Sequence, residues 1–117
     1  ARAQVHLDLF ADMEAIRRLT RAEDRIMWVV PSYIALLAGR RGIGAPDSAL
    51  APAAYRQAVR ESGADYVFLS LYHPRDTIRT AAWQSGTRAL TEHAKTVHVR
   101  AKDGGGVVTS ILLKTEK

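Results

Sequence analysis

The sequence predicts a small α/β sandwich in which a parallel strand pair is followed by a C-terminal antiparallel hairpin, with helices packed on the sheet. Three observations predict it. Residues 25–30 (RIMWVV) and 65–72 (DYVFLSLY) are short apolar runs whose β-branched and aromatic content suits strands covered on both faces. Segments of helical periodicity stand before, between and after these runs, the alternation that joins parallel strands through crossovers. Residues 96–114 read as two strands about a glycine-rich turn.

The elements follow in order. Over residues 5–20, Leu9, Met13 and Ile16 recur at helical spacing, Phe10 and Leu19 widen the stripe, and Asp8, Asp12, Glu14, Arg17 and Arg18 fall mostly outside it. The first strand ends at Pro31, which suits the first turn of a helix because its missing N–H would lack an intrahelical partner there; Gly39 then supplies a stop. Residues 40–48 hold Gly42, Gly44, Pro46 and Asp47 and are expected to form a loop. A helix over residues 52–62 turns Ala54, Ala58 and Val59 inward and ends at Gly63. After the second strand, Pro74 and Asp76 open a helix reaching about residue 93, with Ile78, Ala82, Gly86 and Leu90 on one stripe and Trp83 beside it. In the hairpin, Val97 and Val99 alternate with His98 and Arg100, and Gly104, Gly105 and Gly106 serve a turn that needs positive φ.

The chain has 117 residues, 47% of them hydrophobic and 25% charged, enough for the core of one domain spanning residues 1–117. It opens on Ala1, reaches its first methionine at Met13 and lacks the charged-then-apolar layout of a secretory signal, so it is expected to be a piece excised from a larger protein. No stretch approaches the roughly 18–20 apolar residues of a spanning helix, which predicts a soluble piece. With no cysteine, disulfides, thiolate metal sites and a cysteine nucleophile are excluded. The net charge of +5 favours anionic surfaces, yet adjacent basic residues occur only at Arg17/Arg18 and Arg40/Arg41. Nucleic acid is therefore not the expected partner.

The motifs that invite a chemical reading have structural explanations beside them. Gly39, Gly42 and Gly44 follow a helix and have the reverse of dinucleotide-fingerprint spacing, so they do not form that site. Arg40 and Arg41 are candidate contacts for an anion or a lipid-linked phosphate, because guanidinium forks match phosphate oxygens. His73 and Arg75 are candidate strand-end contacts, since ligands of parallel sheets sit beyond the carboxyl ends of the strands; a helix-opening turn with Asp76 near the positive end of the dipole explains the same residues. His6, His73, His93 and His98 lack zinc-site spacing, and no metal or other cofactor is expected. Neither Ser32 nor Ser70 lies in a nucleophile elbow, and neither strand ends in the acidic cluster of a phosphorelay receiver. Tyr66, Phe68 and Tyr72 share a strand face that could stack bases, but a strand this apolar suits a core, as do Trp28 and Trp83.

The order RIMWVVPSYIALLAGRRG (residues 25–42), Pro46, ESGADYVFLS (residues 61–70) and Asp103-Gly104-Gly105 resembles the soluble C-terminal region of polytopic GT-C type glycosyltransferases. Those resembled are the protein mannosyltransferase and aminoarabinose transferase relatives that use polyprenyl-phosphate sugars. Thr20, Asp24, Arg25, Pro31, Tyr33, Gly39 and Arg40 carry the likeness, with Gly63, Asp65, Tyr66 and Val67 continuing it. The resemblance implies an extracytoplasmic accessory domain, tethered at the periplasmic or extracellular face, with a structural, gating or acceptor-contact role. The catalytic carboxylates of that superfamily lie between early membrane helices, so the resemblance assigns no catalytic residue here. It implies the membrane-embedded part of the parent chain as partner, with anionic lipid or a lipid-linked sugar phosphate as further contacts. The alternative is a stand-alone α/β module for a nucleotide or other small anion.

Overall fold

A computed structural model of the protein describes residues 2–72 and 76–115. Helix α1 (Arg2–Leu19) buries Leu9, Met13 and Ile16, the stripe its spacing predicts. Phe10 falls outside that stripe and is exposed, whereas Asp12, expected on the polar side, is buried. Thr20 closes the helix by donating both its N–H and its Oγ1–H to the Ile16 carbonyl. Asp24 accepts from the Arg21 N–H at 2.8 Å and turns the chain into β1 (Arg25–Trp28).

Pro31 opens the short helix α2 (Pro31–Tyr33), which runs on as a π-helical stretch, Ile34–Ala38. Gly39 ends it at φ +65°, in the left-handed region where a side chain would be strained. The chain then enters β2 (Arg41–Gly44), parallel to β1, where a loop is expected from the sequence. The glycines that suggest a loop permit the strand instead, because a Cβ on Gly42 would lie 2.2 Å from the Pro31 carbonyl oxygen.

Helix α3 (Pro52–Ser62) ends at Gly63, φ +77°, as expected. Its buried residues are Tyr55 and Val59; Ala54 is exposed and Ala58 half-buried, so the inward face is rotated from the expected one. Burying the large ring rather than a methyl removes more apolar surface from water. Strand β3 (Tyr66–Ser70) and helix α4 (Asp76–Leu90) follow, and Gly86 lets α4 approach β3: a Cβ there would meet Leu69 Cδ2 at 2.4 Å. Strands β4 (Lys95–Lys102) and β5 (Val107–Lys114) form the expected hairpin, with Gly104 and Gly105 at φ +68° and +98°.

The sheet order is β2-β1-β3-β5-β4, with β2, β1 and β3 parallel and the hairpin antiparallel. The parallel set thus has three strands rather than two. On one face α1 and the π-helical stretch cover Ile26, Trp28, Phe68 and Leu112; on the other α3 and α4 cover Met27, Val67, Leu69 and Leu113. This three-layer arrangement explains why β1 and β3 are apolar at successive positions. Among the described residues no helix is long and apolar enough to cross a membrane.

Candidate functional site

After β1 the chain turns into α2 on the α1 face, whereas after β3 it continues to α4 on the opposite face. Adjacent parallel strands whose continuations part in this way leave a crevice at their carboxyl ends, the usual place for a ligand in an open α/β sheet. Among the described residues, an aromatic cluster stands at this end of the strands. Tyr33 on α2 and Tyr72 beyond β3 have ring centroids 6.2 Å apart and planes inclined by 35°. Trp28, at the end of β1, lies 6.1 Å from Tyr33 and 6.4 Å from Tyr72, and meets Phe68 edge-on at 5.0 Å.

Local chain geometry sets this cluster. The Tyr33 N–H donates to Val30 O, making the turn that returns Tyr33 over Trp28. The Ser70 hydroxyl accepts from the Tyr72 N–H at 3.0 Å, bending the chain as it leaves β3. Both tyrosines are half-buried, with Trp28 and Phe68 beneath them. Burial pushes the Tyr72 phenol above its ordinary pKa, and a hydrogen bond with Tyr33 adds to the rise. Trp28 is 1% exposed and its Nε1–H has no hydrogen-bond partner among the described residues. The pair of phenols over an apolar base can stack against the C–H face of a ring and exchange hydrogen bonds with hydroxyl groups.

His73 and Arg75, the candidate strand-end contacts, lie outside the described residues. Phe68 is fully buried beneath the tyrosines, so Tyr66, Phe68 and Tyr72 do not present the base-stacking face considered from the sequence. Arg41 is exposed on the edge strand β2. Arg40, its expected companion, has turned to the end of α1: Nε donates to Thr20 Oγ1 at 3.0 Å, and Nη2 to the carbonyls of Arg17 at 2.7 Å and Thr20 at 3.1 Å. Nη1 reaches Gly39 O. An anion at Arg40 would have to displace acceptors that the helix terminus already provides.

Several of the residues on which the expected resemblance rests make contacts that the fold itself explains. Thr20 and Arg40 join α1 to the start of β2, while Arg25 and Asp65 join β1 to β3: the Arg25 N–H donates to Asp65 Oδ2 at 2.8 Å, and the Asp65 N–H to Arg25 O at 2.9 Å. Their spacing reflects strand starts and a helix end.

A second polar cluster was not legible as a unit. Asp12, 2% exposed, accepts from Arg100 Nε at 2.7 Å and from Ser110 Oγ at 2.8 Å, and lies 3.2 Å from His98 Nε2. In a hydrolytic triad histidine stands between serine and carboxylate. Here the carboxylate stands between the serine and the histidine, bonded to each through a different oxygen, which suits fastening α1 to β4 and β5. The sequence signal for it is Asp8 and Asp12 at i, i+4 facing Arg100 and Lys102 at i, i+2. A bulge between Thr96 and His98 obscures it, since Val97 packs toward the α1 side together with His98, while Val99 is exposed. Among the described residues no group of three or more potential metal ligands lies together. Comparison with protein-family models, curated proteins and solved structures finds no match to this chain.

Proposed function

We propose that the chain is an extracytoplasmic accessory domain of a membrane glycosyltransferase using a polyprenyl-phosphate-linked sugar, and that its part is acceptor contact rather than bond-making. The family reading rests on the ordered segments from Thr20 through residues 61–70 to the Asp103-Gly104-Gly105 turn. The observation that supports acceptor contact is the Tyr33/Tyr72 pair at the β1/β3 crevice, two half-buried phenols at the position where an open sheet takes its ligand. Aromatic rings with a hydroxyl at the rim suit a carbohydrate, whose C–H faces stack and whose hydroxyl groups both donate and accept.

The same crevice suits the second reading, a free-standing module for a nucleotide or another small anion, because nucleotides also bind at switch points. One titration distinguishes them. Oligosaccharides, sugar phosphates and nucleotides are added to the isolated domain at millimolar concentration, and the ring resonances of Tyr33 and Tyr72 are followed by NMR. Saturable shifts with an oligosaccharide, abolished in Tyr33→Ala, support acceptor contact; saturation by nucleotide alone moves the assignment to the second reading. Attachment is tested on the parent gene, where hydrophobic spanning segments upstream of Ala1 are expected. A parent chain without such segments overturns the glycosyltransferase assignment.

A further inference from the structure

At the other end of the sheet from the aromatic crevice, a cavity of about 230 Å³ opens between α3, the segment after α4, and the β3–β5 pair. Its apolar lining is Val59, Ala64, Val67, Leu90, Ala94 and Leu113. Arg56 and Arg60 complete the wall, four residues apart on α3 and therefore neighbours on one helix flank, next to the buried Val59. The Thr115 hydroxyl also borders the cavity, but it donates to Ala64 O and Asp65 O at 2.8 and 3.0 Å, and Arg60 has a partner of its own, which leaves the Arg56 guanidinium as the dominant polar chemistry. No acidic side chain among the described residues lines it.

Hydrocarbon walls with a guanidinium at one side call for a ligand with a hydrocarbon body and an anionic end. An apolar cavity of about 150 Å³ takes up benzene, so on that scale this one has room for roughly nine carbons. We propose that the cavity binds a single-chain anionic amphiphile, its tail among Val59, Val67, Leu90 and Leu113 and its carboxylate or phosphate head against Arg56. Bidentate guanidinium contacts fix the head, and the tail displaces water held against apolar walls. This site lies away from the Tyr33/Tyr72 crevice and does not depend on the reading given to it.

The test separates head from tail. Octyl phosphate, octanoate, octanol and inorganic phosphate are titrated into the domain below micelle-forming concentrations, with backbone amide shifts reporting the place and calorimetry the affinity. Octyl phosphate, octanoate or both are expected to move amides of Val67, Leu90 and Leu113 and to bind about tenfold or more tightly than octanol, as one or two charge-assisted hydrogen bonds provide. Binding of only one of them identifies the head group. Arg56→Gln should bring the alkyl anions to the affinity of octanol while leaving the thermal midpoint nearly unchanged. Ala94→Leu should weaken all three tailed probes by filling the space. Equal binding of octanol and octyl phosphate to the unmodified domain, inorganic phosphate binding as tightly as octyl phosphate, shifts confined to other regions, or no saturable shift would each overturn the proposal.

Discussion

At the scale of single residues, Gly42 and Arg40 show how a motif that suggests a ligand can serve the chain itself. Gly42 has an ordinary backbone conformation; what it supplies is clearance, since an added Cβ would meet Pro31 O, C and Cα at 2.2, 2.8 and 3.0 Å. Backbone atoms cannot swing aside as a side-chain end can. Gly42→Ala is therefore expected to lower stability by about 2–3 kcal/mol in urea unfolding, whereas Gly44→Ala, with nothing within 4 Å of the added methyl, should stay within about 0.5 kcal/mol. Arg40 binds three carbonyls and the Thr20 hydroxyl around the end of α1. Arg40→Ala should cost about 1–2 kcal/mol by freeing those acceptors, and Arg41→Ala, on the exposed edge, should change stability by less than about 0.5 kcal/mol. If Arg41 is the residue that meets an anionic membrane, its alanine variant alone should reduce association with anionic liposomes; unchanged association assigns it to solvent.

At the scale of elements, the sequence is most informative where one rule governs a segment and least where two compete. Gly39 and Gly63 take the left-handed conformations that stopping a helix requires, and Gly104 and Gly105 those of the expected turn. Strand β2 escapes the sequence because RGIG has one β-branched residue and two glycines, and its formation depends on pairing with β1 from Arg25↔Arg41 to Trp28↔Gly44. Asp12 escapes for a different reason: a carboxylate on a helix is read as solvated unless its partners, 86 to 98 residues away, are known. The aromatic crevice was half legible, because the strand ends could be placed but the opposite exits of β1 and β3 depend on the sheet order. The Asp12 cluster yields a prediction for α1. Asp12→Ala leaves Arg100 and Ser110 facing an apolar side chain and should cost about 2–4 kcal/mol. Lys102→Ala, which removes a pair 3.9 Å long at the half-exposed Asp8, should cost less than about 1 kcal/mol. Losses below about 1 kcal/mol in both variants would show that α1 is held by its apolar stripe alone.

At the scale of the whole molecule, the sheet separates two chemical environments, with phenols at the carboxyl ends of its parallel strands and arginines beside an apolar cavity toward the other end. Both helical layers bury aromatic residues: Trp28 and Phe68 under α1 and the π-helical stretch, and Tyr55 between α3 and the sheet. Tyr55 makes global stability depend on pH in a calculable direction. Burial pushes its phenol up to about 12 from the ordinary 10.0, because the phenolate would be desolvated. The folded state therefore keeps a proton that the unfolded chain releases between those two values. The resulting stabilisation is complete below about pH 10 and is lost as the pH rises through about 12. Unfolding by urea at about pH 9 and about pH 12 should show the protein losing about 2 kcal/mol more than Tyr55→Phe, which has no phenol to ionise. Subtracting the variant removes the contributions of Tyr66 and Tyr72, whose phenols are also raised, first by burial. An equal alkaline loss in the two proteins would show that the Tyr55 hydroxyl reaches water in the folded state, and that the layer formed by α3 is open at that ring.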